Sequence, residues 1–201
     1  MKQTPPMRVL LLLTILSWIM AAEPTPVLQR VREAAAAVPA LRLPFIQEKH
    51  LAILEKPLMT AGVLEMDRPA ACLRWEFTGH ALIILRNGEL RRWGPGGREE
   101  DLGRDPGLKA MMHPLHGLLT GDWSPLLELF QPEDQPDGLT VRFTPRTPDL
   151  GRYVSALTMT FSPQSAPIRL LIESPGGDQT EYRFGAPDTA WTPVPSRFTG
   201  P

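Results

Sequence analysis

The chain has 201 residues and a formal charge of −1, with 42% hydrophobic and 21% charged residues. That length fits one domain with a tail, and the charge balance excludes a generally basic nucleic-acid binder. The 23 prolines count against long helices and against a doubly wound α/β fold.

At the start, Lys2 and Arg8 precede a run from Val9 to Met20 that is apolar apart from Thr14 and Ser17, and Ala21-Ala22 offer a cleavage site. This predicts a secretory signal peptide over residues 1–22. The run is shorter than the ~20 residues a membrane span needs, so a soluble, exported chain is expected. Positions 21–26 hold no Cys, which excludes a lipobox there. The one Cys of the chain, Cys72, cannot form an intramolecular disulfide and reads as a buried thiol in a strand.

Thr25-Pro26 signals an N-cap followed by a first-turn proline. Val27, Leu28, Val31, Ala34, Ala35 and Val38 then recur at helical spacing until Pro39. The period changes to two from Leu41, with Leu43, Phe45 and Gln47 alternating with Pro44, Ile46 and Glu48. A second strand, Met59 to Arg68, places Leu64, Met66 and Arg68 on one face and Val63, Glu65 and Asp67 on the other. Leu73, Trp75 and Phe77 share a face of the third, and Ala81 to Arg86 forms a fourth. Asn87-Gly88 predicts a type I′ hairpin turn into Glu89–Trp93. The charge run Glu99-Glu100-Asp101 is expected in a solvated loop.

Leu108, Met111, Met112, Leu115, Leu118 and Leu119 return to helical spacing, interrupted by Pro114 and Gly117, so a short or kinked helix is expected. Ser124-Pro125 opens a second short helix ending near Phe130, and a polar Asp/Pro loop follows. Strands resume at Leu139-Val141-Phe143, Leu157-Met159-Phe161, Ile168-Leu170-Ile172 and Tyr182-Phe184. From residue 186 the tail is rich in Pro and is expected to be extended or mobile. Short strands with turn signals between them predict one antiparallel sheet that curls around either a packed core or a cavity.

Chemistry-bearing motifs are sparse. There is no nucleophile elbow, P-loop or dinucleotide fingerprint. His113 and His116 are three residues apart, but no third ligand stands at a metal-site spacing. Arg68 is the informative residue. If its face points inward, its guanidinium enters apolar space and needs acceptors, for which helix-end carbonyls are suitable; otherwise it reaches water from the strand end.

Phe45-Ile46-Gln47-Glu48-Lys49, Arg68-Pro69 followed by Leu73 and Trp75, the Asn87-Gly88 hairpin ending at Trp93-Gly94-Pro95, and Gly177-Asp178-Gln179-Thr180 leading to Tyr182 and Phe184 together resemble the LolA family of periplasmic lipoprotein carriers. The resemblance runs from about Val27 to Gly185. It implies a mainly β fold, an incomplete antiparallel β-barrel with an α-helical lid enclosing an apolar cavity, in one carrier domain over residues 23–185 followed by the tail over 186–201. The implied cavity lining is Phe45, Leu64, Met66, Leu73, Trp75, Phe77, Met111, Met112, Leu115, Val141, Phe143, Met159, Leu170 and Tyr182, with Arg68 as the lid latch. The implied activity is non-enzymatic: a monomeric periplasmic carrier, without cofactor or metal, takes lipoprotein acyl chains from an inner-membrane ABC transporter and passes them to a LolB-like outer-membrane acceptor. A LolA-like carrier or sensor of another lipid or glycolipid is the alternative. A periplasmic enzyme on lipid-linked substrates is the rival from another class, and would need titratable residues converging in the pocket.

Overall fold

The computed structural model describes residues 23–101 and 106–201, except for the side chains of residues 106–111 and 119. The expected signal peptide over 1–22 lies outside the described residues. Helix α1 (Pro26–Ala36) begins as its sequence dictates: Thr25 caps it, its side chain accepting from the Leu28 N–H, and Pro26 occupies the first turn. Val27, Leu28 and Val31 form its buried stripe. The Val27 N–H also donates to Asp134 Oδ2 at 3.2 Å, tying the helix start to a residue 107 positions later.

The first half continues as β1 (Ala40–His50), β2 (Leu58–Asp67), β3 (Cys72–Phe77), β4 (Ala81–Arg86), β5 (Glu89–Trp93) and the short β6 (Glu99–Glu100). Helices α2 (Pro106–Thr120) and α3 (Ser124–Leu129) follow. The second half is β7 (Phe130–Asp134), β8 (Thr140–Pro145), the single turn α4 (Pro148–Gly151), β9 (Ala156–Phe161), β10 (Pro167–Glu173) and β11 (Gln179–Phe184). Among the described residues these strands form one antiparallel sheet in the order β6-β5-β4-β3-β2-β1-β11-β10-β9-β8-β7. Every pairing joins strands adjacent in sequence except β1 with β11, where Phe45 faces Phe184. The edges β6 and β7 do not pair with each other. The sheet is therefore an incomplete barrel, with the segment that carries α2 and α3 linking its two edges. No helix among the described residues is long and apolar enough to cross a membrane.

The Asn87-Gly88 turn is as expected, with φ of 51° and 79°. Several other elements differ from the sequence reading. Helix α2 runs through Pro114 without a break and spans 15 residues. Gly117 is a contact point rather than an interruption: a Cβ there would stand 2.3 Å from the Trp123 ring. The Glu99-Glu100-Asp101 run is not wholly loop, because Glu99 and Glu100 pair with Trp93 and Arg92 as an edge strand. Part of the expected polar loop after Phe130 is β7, which hides Phe130 and Pro132 and exposes Gln131 and Glu133. In β10 the register shifts between Pro167 and Arg169, so Ile168 is 42% exposed while Leu170 remains inward.

The tail is docked on the sheet. Asp188 exchanges two backbone hydrogen bonds with Arg42, at 3.0 and 2.8 Å. A helical turn, Pro195–Phe198, then docks on the outer face of the sheet. Phe198 is buried there, beside a small outer cluster of Leu82, Ile84 and Trp93. Arg197 Nε lies 2.9 Å from Oε2 of Glu65, a wholly buried carboxylate.

Candidate functional site

Strand register brings the large apolar side chains into rows across the concave face. Leu41, Met66, Leu73 and Leu85 make one row, and Leu43, Leu64, Trp75 and Ile83 the next. Gln47, Tyr182, Leu170, Met159 and Val141 form a third across the other half. At the centre, the Phe45 and Trp75 ring centroids are 5.9 Å apart, and Tyr182 stands 5.7 Å from Phe45 and 5.0 Å from Trp75. Phe77 closes the cluster at 5.3 Å from Phe45. Gly62 makes this packing possible, since a Cβ would lie 2.3 Å from both the Phe45 ring and the Glu76 carbonyl. The Tyr182 hydroxyl accepts from Gln47 Nε2 at 2.7 Å, and burial pushes its phenol well above the usual tyrosine range.

The helices supply the facing layer. Met112, Leu115 and Leu118 of α2, Trp123 before α3, and Leu126 and Leu127 of α3 join the same buried cluster as the sheet. The enclosed space is packed with side chains from both layers. Three buried donors in it, the Trp75 and Trp123 indole N–H groups and Arg68 Nε, have no hydrogen-bond acceptor among the described residues.

Arg68 follows the last residue of β2, at the end of the row that begins with Leu64 and Met66. It enters the half-buried space between two helices. One guanidinium nitrogen donates to the Val38 carbonyl just past α1, and the other to the Leu118 carbonyl in the last turn of α2, at 3.1 Å. Both acceptors belong to carbonyls left over near a helix end, where a cation is favoured. Burial lowers the guanidinium pKa, yet arginine stays charged at any physiological pH. A charge drawn into apolar surroundings and held by two backbone carbonyls therefore ties β2, α1 and α2 together.

Among the clefts that adjoin this core in the described residues, two lie at opposite ends of the barrel. The smaller, about 240 Å³, is almost wholly apolar and lies beside Arg68, walled by α1, Leu41, Met66, Leu118 and the turn at 164–167. The larger, about 500 Å³, opens at the opposite end of the barrel. Its floor is Phe77, Ile83, Val154, Ile172 and Tyr182, and its rim carries Lys49, Thr60, His80, Arg92 and Asp178.

No protein-family model matches the chain, and no curated protein matches it in sequence. The structural likeness is clear by contrast. A LolA superfamily protein from Nitrosomonas europaea matches with a TM-score of 0.50 at 9% identity, over 86% of this chain and 96% of the other. The fold is LolA-like. Mycobacterium tuberculosis lipoprotein LppX matches over 79% of this chain and 93% of its own at 13% identity, with a TM-score of 0.35.

Within this LolA-like half-barrel the expected lining residues converge. Phe45, Leu64, Met66, Leu73, Trp75, Phe77, Met112, Leu115, Val141, Phe143, Met159, Leu170 and Tyr182 all belong to the one buried cluster. Met66 and Arg68 border the small cleft, and Phe77 and Tyr182 the large one, while the others are packed against each other or the helices. Met111 lies on α2, with its side chain outside the described residues. Cys72 is buried at the start of β3, where burial raises its thiol pKa. Sequence reasoning did not find the Gln47–Tyr182 bond or the rim of Lys49, His80 and Arg92. Those residues come from separate strands and turns, and no local spacing signals their meeting.

Proposed function

We propose that this chain is a carrier that holds the acyl chains of lipoproteins between the concave face and the α1–α2–α3 layer, and moves them across the periplasm towards the outer membrane. An inner-membrane ABC transporter supplies the cargo, a LolB-like acceptor receives it, and the carrier performs no bond chemistry. The observation that carries this reading is Arg68, which bridges Val38 and Leu118 above an otherwise apolar interior. A buried acyl chain gains ~0.8 kcal/mol per CH₂, so an open dry cavity would not release it. A lid that must be unlatched first lowers net affinity by the cost of opening. Hydrogen bonds from a charged donor contribute roughly 1.5–3 kcal/mol each, enough for Arg68 to set that cost. The unsatisfied indole N–H of Trp75 offers a donor to the ester or amide carbonyl at the head of an acyl chain.

The test compares wild type with Arg68→Leu in a transfer assay using a fluorescent triacylated lipopeptide and a LolB-like acceptor. The variant is expected to bind the lipopeptide at least as tightly as wild type and to hand it over at least tenfold less efficiently. Equal hand-over by the two proteins removes the latch role. Lipid extraction from protein purified out of its own cells checks the cargo: a triacylated species supports the reading, whereas a different amphiphile redirects it to another lipid pathway.

A further inference from the structure

We infer that the tip of the β1–β2 hairpin docks on an anionic lipid bilayer and seats the large cleft against it. This hairpin ends at the rim of that cleft, whose wall includes Lys49 and Thr60. Four of the eight large apolar side chains exposed among the described residues fall within its positions 53–59: Ile53 at 89%, Leu54 at 43%, Leu58 at 50% and Met59 at 55%. A fifth, Tyr153, stands across the same mouth. Soluble proteins rarely gather exposed apolar side chains in this way unless a partner covers them.

The tip is held in place. The Leu54 N–H closes a turn onto the Leu51 carbonyl at 2.9 Å, and the Ala52 N–H donates to Asp178 Oδ1 at 2.7 Å, which fastens the loop to the β10–β11 turn. Ile53 is thus projected from a fixed scaffold.

Size and charge favour a bilayer over a second protein. A standard protein interface uses roughly 20–30 residues a side, far more than this tip offers, whereas a bilayer needs only an apolar wedge with cationic flanks. Lys49 and Lys56 are exposed on either side and make no ion pair among the described residues. Glu55 is the one carboxylate between positions 49 and 59, and Asp178 is held against the Ala52 N–H, so the tip has no net charge and presents the two lysines as its exposed, unpaired cations. Lysine stems lie along the apolar surface while their ammonium groups reach headgroup phosphates. The purpose of docking rests on the carrier reading: it holds the carrier at the membrane face where cargo is supplied or received.

The test labels the full chain at Ile53→Cys with an environment-sensitive fluorophore. Cys72 is buried and is the one native thiol, so the label goes to the tip. Vesicles of phosphatidylglycerol and phosphatidylethanolamine are expected to shift the emission to the blue and to allow quenching by brominated lipid. A label at Glu89→Cys, at the opposite end of the barrel, is expected to stay unchanged. The double substitution Ile53→Ser with Leu54→Ser is expected to cut vesicle partition roughly tenfold at an unchanged thermal midpoint. Residues 9–20 are the same in every variant, so a difference belongs to the tip. No spectral change, or equal partition of wild type and double variant, overturns the proposal. So does a dimer in sedimentation equilibrium that the double variant abolishes. Lipopeptide binding in vesicle-free solution separates the two readings: its failure with tip insertion intact removes the carrier and keeps the docking site, and the reverse removes only the docking site.

Discussion

Among the described residues, Glu65 is the most deeply buried charge. Its side chain is wholly buried on the outer face of β2, with Arg197 at 2.9 Å, Arg42 at 3.4 Å and Arg74 at 3.8 Å. Arg74 and Arg197 are also shared with Glu76. Removing one partner of a buried ion pair leaves uncompensated charge behind. Glu65→Ala is therefore expected to destabilise the fold by roughly 3 kcal/mol or more, read as a lower urea midpoint. Arg197→Ala is expected to cost less, because that side chain is 38% exposed and water replaces part of its pairing. Arg68 and Glu65 are three residues apart, and the same alternation places them on opposite faces. The inward consequence was legible in the sequence, since an arginine ending an apolar row needs acceptors. The outward one was not, because nothing in a strand's periodicity says that its solvent face will be covered by a segment 130 residues later.

The helix α2 depends on a close approach. Gly117 meets the Trp123 ring where no Cβ fits, and overpacking of this kind costs about 1–3 kcal/mol. Gly117→Ala is expected to lift α2 from Trp123 and to speed amide exchange in α2, with the exchange of β1 and β2 unchanged. Acid acts on the same element. His113 is half-buried on α2, and burial, with a smaller contribution from His116, holds its imidazole below the ordinary value of 6.5. The docked helix therefore binds this proton less readily than the undocked one, and the stability it contributes is lost as pH falls below about 6.5. The thermal midpoint is expected to drop less between pH 7 and pH 5 in His113→Gln than in wild type, the difference between the two isolating this group from the carboxylates. The helical spacing from Leu108 to Leu119 was readable, as was the period-two pattern of the strands. Proline and glycine misled locally: Pro114 was absorbed within a helix that packing holds, and Gly117 served a contact. Strand β7 escaped notice because half its residues face water and two are Pro132 and Asp134, a composition shared with loops.

Across the whole molecule, the tail acts as a clasp on the convex side. It lays Phe198 beside the Leu82–Ile84–Trp93 cluster and brings Arg197 to Glu65. Truncation after Gly185 uncovers that cluster and deprives Glu65 of its nearest partner. The shortened protein is expected to lose about 2–4 kcal/mol in urea unfolding and to bind the hydrophobic dye ANS, without losing lipopeptide binding on the concave side. A proline-rich composition indicates only that no regular element forms. It carries no information about docking, which depends on a few anchors such as Phe198 and Arg197.

The single non-local seam between β1 and β11 has a consequence for how the chain reaches this state. Every other strand pair closes through a turn or short connection and is entropically cheap to form. Joining Phe45 to Phe184 requires nearly the entire chain, so β1 keeps an unpaired edge until the last strand has been made. Proteins with such long-range closures fold slowly and expose strand edges to intermolecular pairing in the interval. The helix α1, secured through Val27 to Asp134, spans the same two halves. Its docking and the closing of the seam are expected to share one rate-limiting step in refolding kinetics, and substitutions at either place to slow that step together.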